Sequence, residues 1–435
     1  MVKKYHSVLK EVLNEIKPEK KELNEIKSFL RRFLKGFKEE LKVQKINADI
    51  FVGGSLAKGT LIKKDQYDVD IFVRFDRKYK NEEISEITWE VIKKFKDVTE
   101  FGNILRVHGS RDYFIVKNKK DFFLEIIPVK KIQKPEDAEN ITDLSYAHVH
   151  YVKKKIQSRK IVNDILLAKA FCHANNCYGA ESYIRGFSGY SLELLVYYYK
   201  GFLNFIRSIA RHKEGKIVID IEKHFKSKQE ILMNMNSSKL KSPIILIDPT
   251  YRQRNALAAL SDETFSNFKK ACREFIRNPS KKAFQEKKIS PEKIMGNAEK
   301  KGLEFVLLEI ETDRQEGDIA GSKLQKFYRH LGREIGKFFD VKNKGFAYNN
   351  GKNAQCFFSV KRKKEILFHG PYVKDSKNLK MFRKKHKKVF VKSGKAYAKE
   401  KVEMSIIEFM KRWKSKNRKI IKSMAVTKVN IVKPS

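Results

Sequence analysis

The chain has 435 residues, 41% of them apolar, which is enough for several packed domains and excludes global disorder. It carries 95 Lys and Arg against 52 Asp and Glu, a formal charge of +43, well beyond what solubility asks for, and this points to a polyanionic partner. Charge alone leaves RNA, DNA and acidic membrane surfaces open, and Lys also abounds in segments that read as purely structural. The start MVKKYHSVLK runs into a charged helix rather than a signal peptide, and no apolar run approaches the length of a bilayer span, so a soluble cytoplasmic protein with no membrane partner is expected.

Residues 5–45 read as two helices divided at Pro18. In the second, Leu23, Ile26, Leu30, Phe33, Leu34, Phe37 and Leu41 recur at three and four, an apolar stripe to lie against a sheet. A strand over Asp49–Val52 then runs into Gly53-Gly54-Ser55. The glycines let the backbone approach closely, Ser55 is suited to cap the following helix, and free N–H groups at such a helix start attract phosphate. On the next strand Asp68 and Asp70 are two apart, so both carboxylates leave one face while Val69, Ile71 and Val73 face the core. A helix over about 81–96 and strands around 103–107, 113–116 and 122–127 complete a mixed sheet. On the last strand Glu125 sits among apolar neighbours, where an unpaired carboxylate is costly unless a cation meets it. The bland alternative is a Gly turn and a solvated Asp pair. Three carboxylates on neighbouring strands beside a phosphate-holding turn instead describe a two-metal nucleotidyl-transfer site. Here the sequence resembles the polymerase-beta-type nucleotidyltransferase superfamily, whose pattern is Gly-Ser, two acids two apart, and a third acid on a later strand.

From about Thr142 to Phe275 the pattern turns mainly helical. A long amphipathic helix is expected over 152–175, a turn-rich segment and a buried helix over 179–201, then an apolar strand breaking at Asp248-Pro249 and a helix over 256–276, with Arg252 and Arg254 where that helix starts. Cys172, Cys177, Cys272 and Cys356 suit reduced, buried thiols, and Cys172 and Cys177 with only His173 nearby make a poor zinc pattern. The runs Asn175-Asn176-Cys177-Tyr178-Gly179-Ala180-Glu181 and Arg185-Gly186-Phe187-Ser188-Gly189-Tyr190, then Asp248-Pro249, Arg254-Asn255 and Ala258, are similar, in order, to the archaeal-type (class I) CCA-adding tRNA nucleotidyltransferases.

Beyond a proline-bearing loop at 278–291, a strand over 304–310, a helix over 323–339 and a strand over 354–360 fit a ferredoxin-like or RRM-like sandwich. Basic clusters at 361–364, 383–388 and 411–414 read either as solvated faces or as salt-sensitive phosphate contacts. The resemblance implies an α+β multidomain protein. It has a polymerase-beta-like head at 1–140, a helical central domain at 141–278, and an RRM-like, tRNA-binding body with a basic tail at 279–435. It also implies a homodimer, with tRNA as partner and CTP and ATP as substrates. Asp68, Asp70 and Glu125 would bind two Mg2+ ions. Gly54, Ser55, Lys58, His148, Lys169, Tyr178 and Arg254 fall on the family's nucleotide contacts, Arg254 near the base. Glu125 stands where the family usually has Asp, which implies altered metal geometry. Lys58 replaces an Arg, keeping charge and losing the planar fork. A poly(A) polymerase, a small-molecule nucleotidyltransferase and an inactive RNA-binding protein are the alternatives.

Overall fold

The computed structural model describes residues 2–96, 103–117, 122–286 and 290–432. They fall into two units, Met1–Lys287 and Lys288–Ser435. The first opens with α1 (Val2–Ile16) and α2 (Lys20–Val43). Glu22 accepts the Glu19 N–H at 2.8 Å, which satisfies a donor that the first turn of α2 leaves orphaned. The apolar stripe of α2 is buried at Ile26, Leu30, Phe33, Phe37 and Leu41. It covers a sheet built from β1 (Ala48–Val52), β2 (Tyr67–Phe75), β3 (Ile104–Val107), β4 (Tyr113–Lys117) and β5 (Phe122–Lys130). The short α3 (Gly54–Lys58) follows β1, and α4 (Glu83–Lys96) follows β2. Strand order is β1-β2-β5-β4-β3, with β2 and β5 parallel and the other pairs antiparallel, the mixed sheet expected. In the β2–β5 register Asp70 lies opposite Glu125 and Asp68 opposite Phe123. Because side chains alternate along a strand, a one-residue slip would turn both aspartates into the core.

A second core in this unit is mostly helical. The segment around it runs α5 (Ser145–Lys155), α6 (Arg159–Ala174), α7 (Gly189–Tyr198), α8 (Phe202–Arg211), β6 (Ile217–Asp220), α9 (Lys228–Asn234), β7 (Ile244–Asp248), β8 (Tyr251–Asn255) and α10 (Asp262–Arg277), with Ile231 of α9 in a smaller cluster on Ile245 and Ile247 of β7. Tyr5, Leu9 and Val12 of α1 pack here rather than on the sheet. Two expectations are corrected. The helix expected over 152–175 is two helices, because Ile156 and Ser158 leave helical dihedrals and Ser158 is the extended N-cap of α6. The helix expected from 256 starts at Asp262, where the Ser261 hydroxyl accepts the Thr264 N–H at 3.2 Å. Arg252 and Arg254 therefore lie on β8. The Asn255 side chain explains this: its Oδ1 accepts from the N–H groups of Leu246 and Leu257, so the backbone there is satisfied without a helix.

The second unit contains α11 (Pro291–Glu299), β9 (Glu304–Glu311), α12 (Asp318–Phe338), β10 (Phe339–Tyr348), β11 (Asn353–Arg362), β12 (Glu365–Tyr372), α13 (Ser376–Lys385), β13 (Val389–Lys392), β14 (Lys395–Lys401), α14 (Ile406–Lys416), α15 (Arg418–Ser423) and β15 (Lys428–Val432). Residues 287–289 of the expected loop lie outside the described residues. Sheet order β10-β11-β9-β15, antiparallel throughout, is the ferredoxin-like order for a β-α-β-β-α-β chain. A second sheet, β12-β14-β13, is inserted between β11 and α14 and was not expected. Among the described residues no helix is long and apolar enough to cross a membrane. All four cysteines are buried and free.

Candidate active site

Asp68, Asp70 and Glu125 share one face of the sheet, since Asp70 and Glu125 are register partners and Asp68 is two residues from Asp70. Burial, then the Asp68 charge, pushes the Asp70 carboxyl up to about 6. Burial, then the charges of Asp70 and Asp68, pushes Glu125 up to about 8. Asp68 goes the other way: burial raises it, but the Lys64 ammonium, 2.8 Å from its Oδ1, outweighs burial and lowers it. With Lys64 in that place, no three carboxylate, imidazole or thiolate groups among the described residues close around a single metal position. The donor chemistry nonetheless fits a hard divalent cation, because it is all carboxylate oxygen and two of the acids are pushed toward protonation by burial and then by neighbouring carboxylates.

The glycine turn is pressed against these acids. Gly53 N–H donates to the Asp70 carbonyl at 2.9 Å. Gly54 has φ +58°, and a Cβ there would stand 1.6 Å from Asp70 Oδ2, so both its backbone conformation and its bareness are required. Ser55 does not cap the helix, which corrects the sequence expectation: Gly53 is the N-cap and Ser55 is the second residue of α3. The cap failed because the chain enters α3 through the Gly53-Gly54 turn, two residues earlier than a serine cap requires.

Basic side chains line the rest of the site, gathered by two buried acids. Lys58 Nζ donates to Glu193 Oε2 at 2.7 Å, and Lys169 Nζ to Glu193 Oε1 at 3.0 Å and to Thr60 Oγ1 at 2.8 Å. Thr60 Oγ1 in turn donates to Glu193 Oε1 at 2.7 Å. The Glu193 side chain is 0% exposed and that of Lys169 2%. Burial would raise Glu193, but the charges of Lys58 and Lys169 outweigh it and hold the carboxyl at about 2. Burial lowers the Lys169 ammonium. The second acid, Asp248, takes the His148 Nε2–H at 2.9 Å, Arg254 Nη1 at 2.6 Å and the Tyr190 hydroxyl at 3.0 Å. Burial works against its charge, yet these partners keep it well below the usual carboxylate range. His148 stacks on Tyr190 with ring centroids 4.1 Å apart, and burial lowers its pKa. Tyr178 reaches the same cluster: a Cβ on Gly189 would lie 2.9 Å from its hydroxyl and 3.6 Å from Lys169 Nζ.

Residues 30–163 match the family described as nucleotidyltransferase domain, and residues 163–285 match the family described as tRNA nucleotidyltransferase, second domain. The CCA-adding enzyme of Nanoarchaeum equitans (strain Kin4-M) is 35% identical over 338 residues, covering 70% of this chain and 82% of that protein. The chain belongs to the archaeal-type CCA-adding enzyme family. The CCA-adding enzyme of Methanocaldococcus jannaschii is 28% identical over 412 residues, covering 93% of this chain and 89% of that protein. A solved structure of a cytoplasmic RNA terminal U-transferase, 16% identical, superposes with a TM-score of 0.50 over 66% of this chain and 100% of its own, a likeness of fold.

In this CCA-adding enzyme family member the structure brings Asp68, Asp70, Glu125 and Gly54 together on the sheet. It gathers Lys58 and Lys169 on Glu193, with Tyr178 and Lys169 both beside Gly189, and His148 and Arg254 on Asp248. Glu193, Thr60 and Lys64 escaped the sequence reading, and Asp248 and Tyr190 entered it only as parts of a motif. Glu193 was findable: a carboxylate within Leu192-Glu193-Leu194-Leu195 is as costly as the lysine within the apolar run of α6.

Two outcomes are expected. Acids whose folded pKa is raised bind protons that the unfolded chain has released, so Asp70 and Glu125 make the metal-free protein lose stability as pH rises between about 4 and about 8. Melting curves across that range should slope downward, Glu125→Gln should flatten the slope, and Mg2+ should stabilise more at pH 8 than at pH 5. Glu193→Gln leaves Lys58 and Lys169 without their shared acid and should cost roughly 3–5 kcal/mol in urea unfolding. Triphosphate should restore part of it, since a ligand bound only by the folded state stabilises that state.

Proposed function

We propose that this protein adds and repairs the 3′-terminal CCA of tRNA without a nucleic-acid template, using CTP and ATP. The observation that carries the reading is the opposition of Asp70 and Glu125 across paired strands, on the face of Asp68 and against the Gly54 turn. Matches to CCA-adding enzymes along most of the chain support it. Asp68, Asp70 and Glu125 would hold two Mg2+ ions, which when bound supply Lewis acidity for activating a ribose hydroxyl and for neutralising triphosphate charge. The remaining work falls to the chain. Lys58, Lys169 and Ser55 hold triphosphate oxygens, with His148 and Tyr178 beside them, and Arg254 addresses the base. The primer's 3′-hydroxyl attacks the α-phosphorus in line and pyrophosphate leaves. Glu125, one methylene longer than Asp, adjusts the reach of the third carboxylate.

The tRNA partner is supported by a groove of about 660 Å³ in the second unit, lined by Arg314, Lys411, Lys414, Arg418 and Lys422. The homodimer belongs to this proposal too, and exposed Leu367, Tyr372, Phe390 and Val391 on and beside the inserted sheet are suited to it. So does a cytoplasmic site of action.

The test is incubation with Mg2+, labelled CTP or ATP, and tRNAs lacking either the whole CCA or only the final adenosine. Growth should be stepwise and halt at the completed end. Asp70→Asn should lower the rate on the order of a thousandfold, the loss of several kcal/mol of charge stabilisation. Unlimited adenosine tails would indicate a poly(A) polymerase, and RNA bound but never extended an inactive binder.

A further inference from the structure

His173 follows Lys169 by one helical turn on α6, and its ring lies against that of Tyr178 with centroids 3.9 Å apart and planes 22° from parallel. Stacking fixes the ring plane, so the nitrogens cannot swing to new partners. Its Nε2 is buried and has no hydrogen-bond partner among the described residues. An orphaned ring nitrogen is a cost to the fold, and such groups are kept where something else needs them. The charges that bear on the ring belong to Lys64, Lys169 and Asp68. His173 is thus within electrostatic reach of the Lys64–Asp68 pair and of Lys169, the lysine held by Glu193. Burial, then Lys64 and Lys169, pushes its pKa down to about 4, so at neutral pH the ring is uncharged and carries one N–H. A neutral donor near ammonium groups suits an anionic oxygen and adds no further positive charge to a crowded cleft.

Resting on the function proposed above, we propose that His173 Nε2–H donates a hydrogen bond to a phosphate oxygen of the bound nucleoside triphosphate. The contact lies outside the set that the family resemblance implies. Because phosphate is common to CTP and ATP, it serves both substrates equally and takes no part in choosing between them. The imidazole also braces Tyr178 through this stack.

The full-length protein with His173→Phe keeps the stack and loses the donor, and His173→Gln keeps a donor and loses the stack. In steady-state extension of tRNA, His173→Phe should raise KM for CTP and for ATP by a similar factor, roughly tenfold or more, the worth of one hydrogen bond to a charged group. KM for tRNA should not change, and His173→Gln should recover part of the nucleotide affinity. Without nucleotide, His173→Phe should melt no lower than the parent, since the orphan is gone. An unchanged nucleotide KM, or a rise confined to CTP or to ATP, would overturn the assignment. Calorimetric titration with CTP separates the two readings. A parent protein that binds CTP but extends no tRNA contradicts the proposed function, whereas equal CTP binding by the parent and His173→Phe contradicts the role of His173.

Discussion

Two carboxylates with no exposed surface, Glu193 and Asp248, hold the basic side chains of this site in place. Lys58, Lys169 and Arg254 would repel one another in a shared cleft, and burying Lys169 alone is expensive. Glu193 accepts from both lysines and Asp248 from Arg254 and His148, and Thr60, Tyr190 and Thr250 fill remaining lone pairs. The cations are thereby neutralised and oriented before any ligand arrives, which is the arrangement that lets preset charges act on a reacting group without reorganising.

Across the same site the balance is reversed. Asp68, Asp70 and Glu125 face one another with Lys64 as their near cation, and two of the three are pushed toward protonation. One half of the site is thus electrically satisfied and the other is not. A metal-bound triphosphate, as proposed above, would complement both halves, bringing positive charge to the carboxylates and phosphate oxygens to the lysines. The fold makes this possible by joining two cores within one unit: the sheet supplies the acids, the glycine turn and α3 with Lys58, and α5, α6, α7, β7 and β8 supply the other basic residues and the acidic anchors.

What the sequence shows of this follows from how far apart the partners lie. Asp68 and Asp70 were legible because a two-residue period puts them on one face whatever the rest of the chain does. Glu125 and Lys169 stood out as charges inside apolar runs. The pairing of Lys169 with Glu193 spans 24 residues and that of His148 with Asp248 spans 100, and no local pattern records such contacts. The break between α5 and α6 carries neither Gly nor Pro, so periodicity ran through it. Tyr-Arg-Gln-Arg-Asn on β8 lacks the alternation of a half-buried strand, and only the amide of Asn255 reveals why a helix waits until Asp262. In the inserted sheet, lysines at 392, 395, 399 and 401 hide β-strands behind what reads as a basic tail. The ferredoxin-like sandwich was legible because β9, α12 and β11 follow one another as apolar segments, each buried in one core.

The most direct measurement is a crystal structure of the protein soaked with Mn2+ and a non-hydrolysable CTP analogue, recorded at the manganese edge. Anomalous density between the Asp70 and Glu125 carboxylates, with phosphate oxygens on Lys58 and Lys169 while both lysines keep Glu193, is the predicted result. Manganese away from these acids, or phosphates that leave Lys58 and Lys169 untouched, would contradict the account.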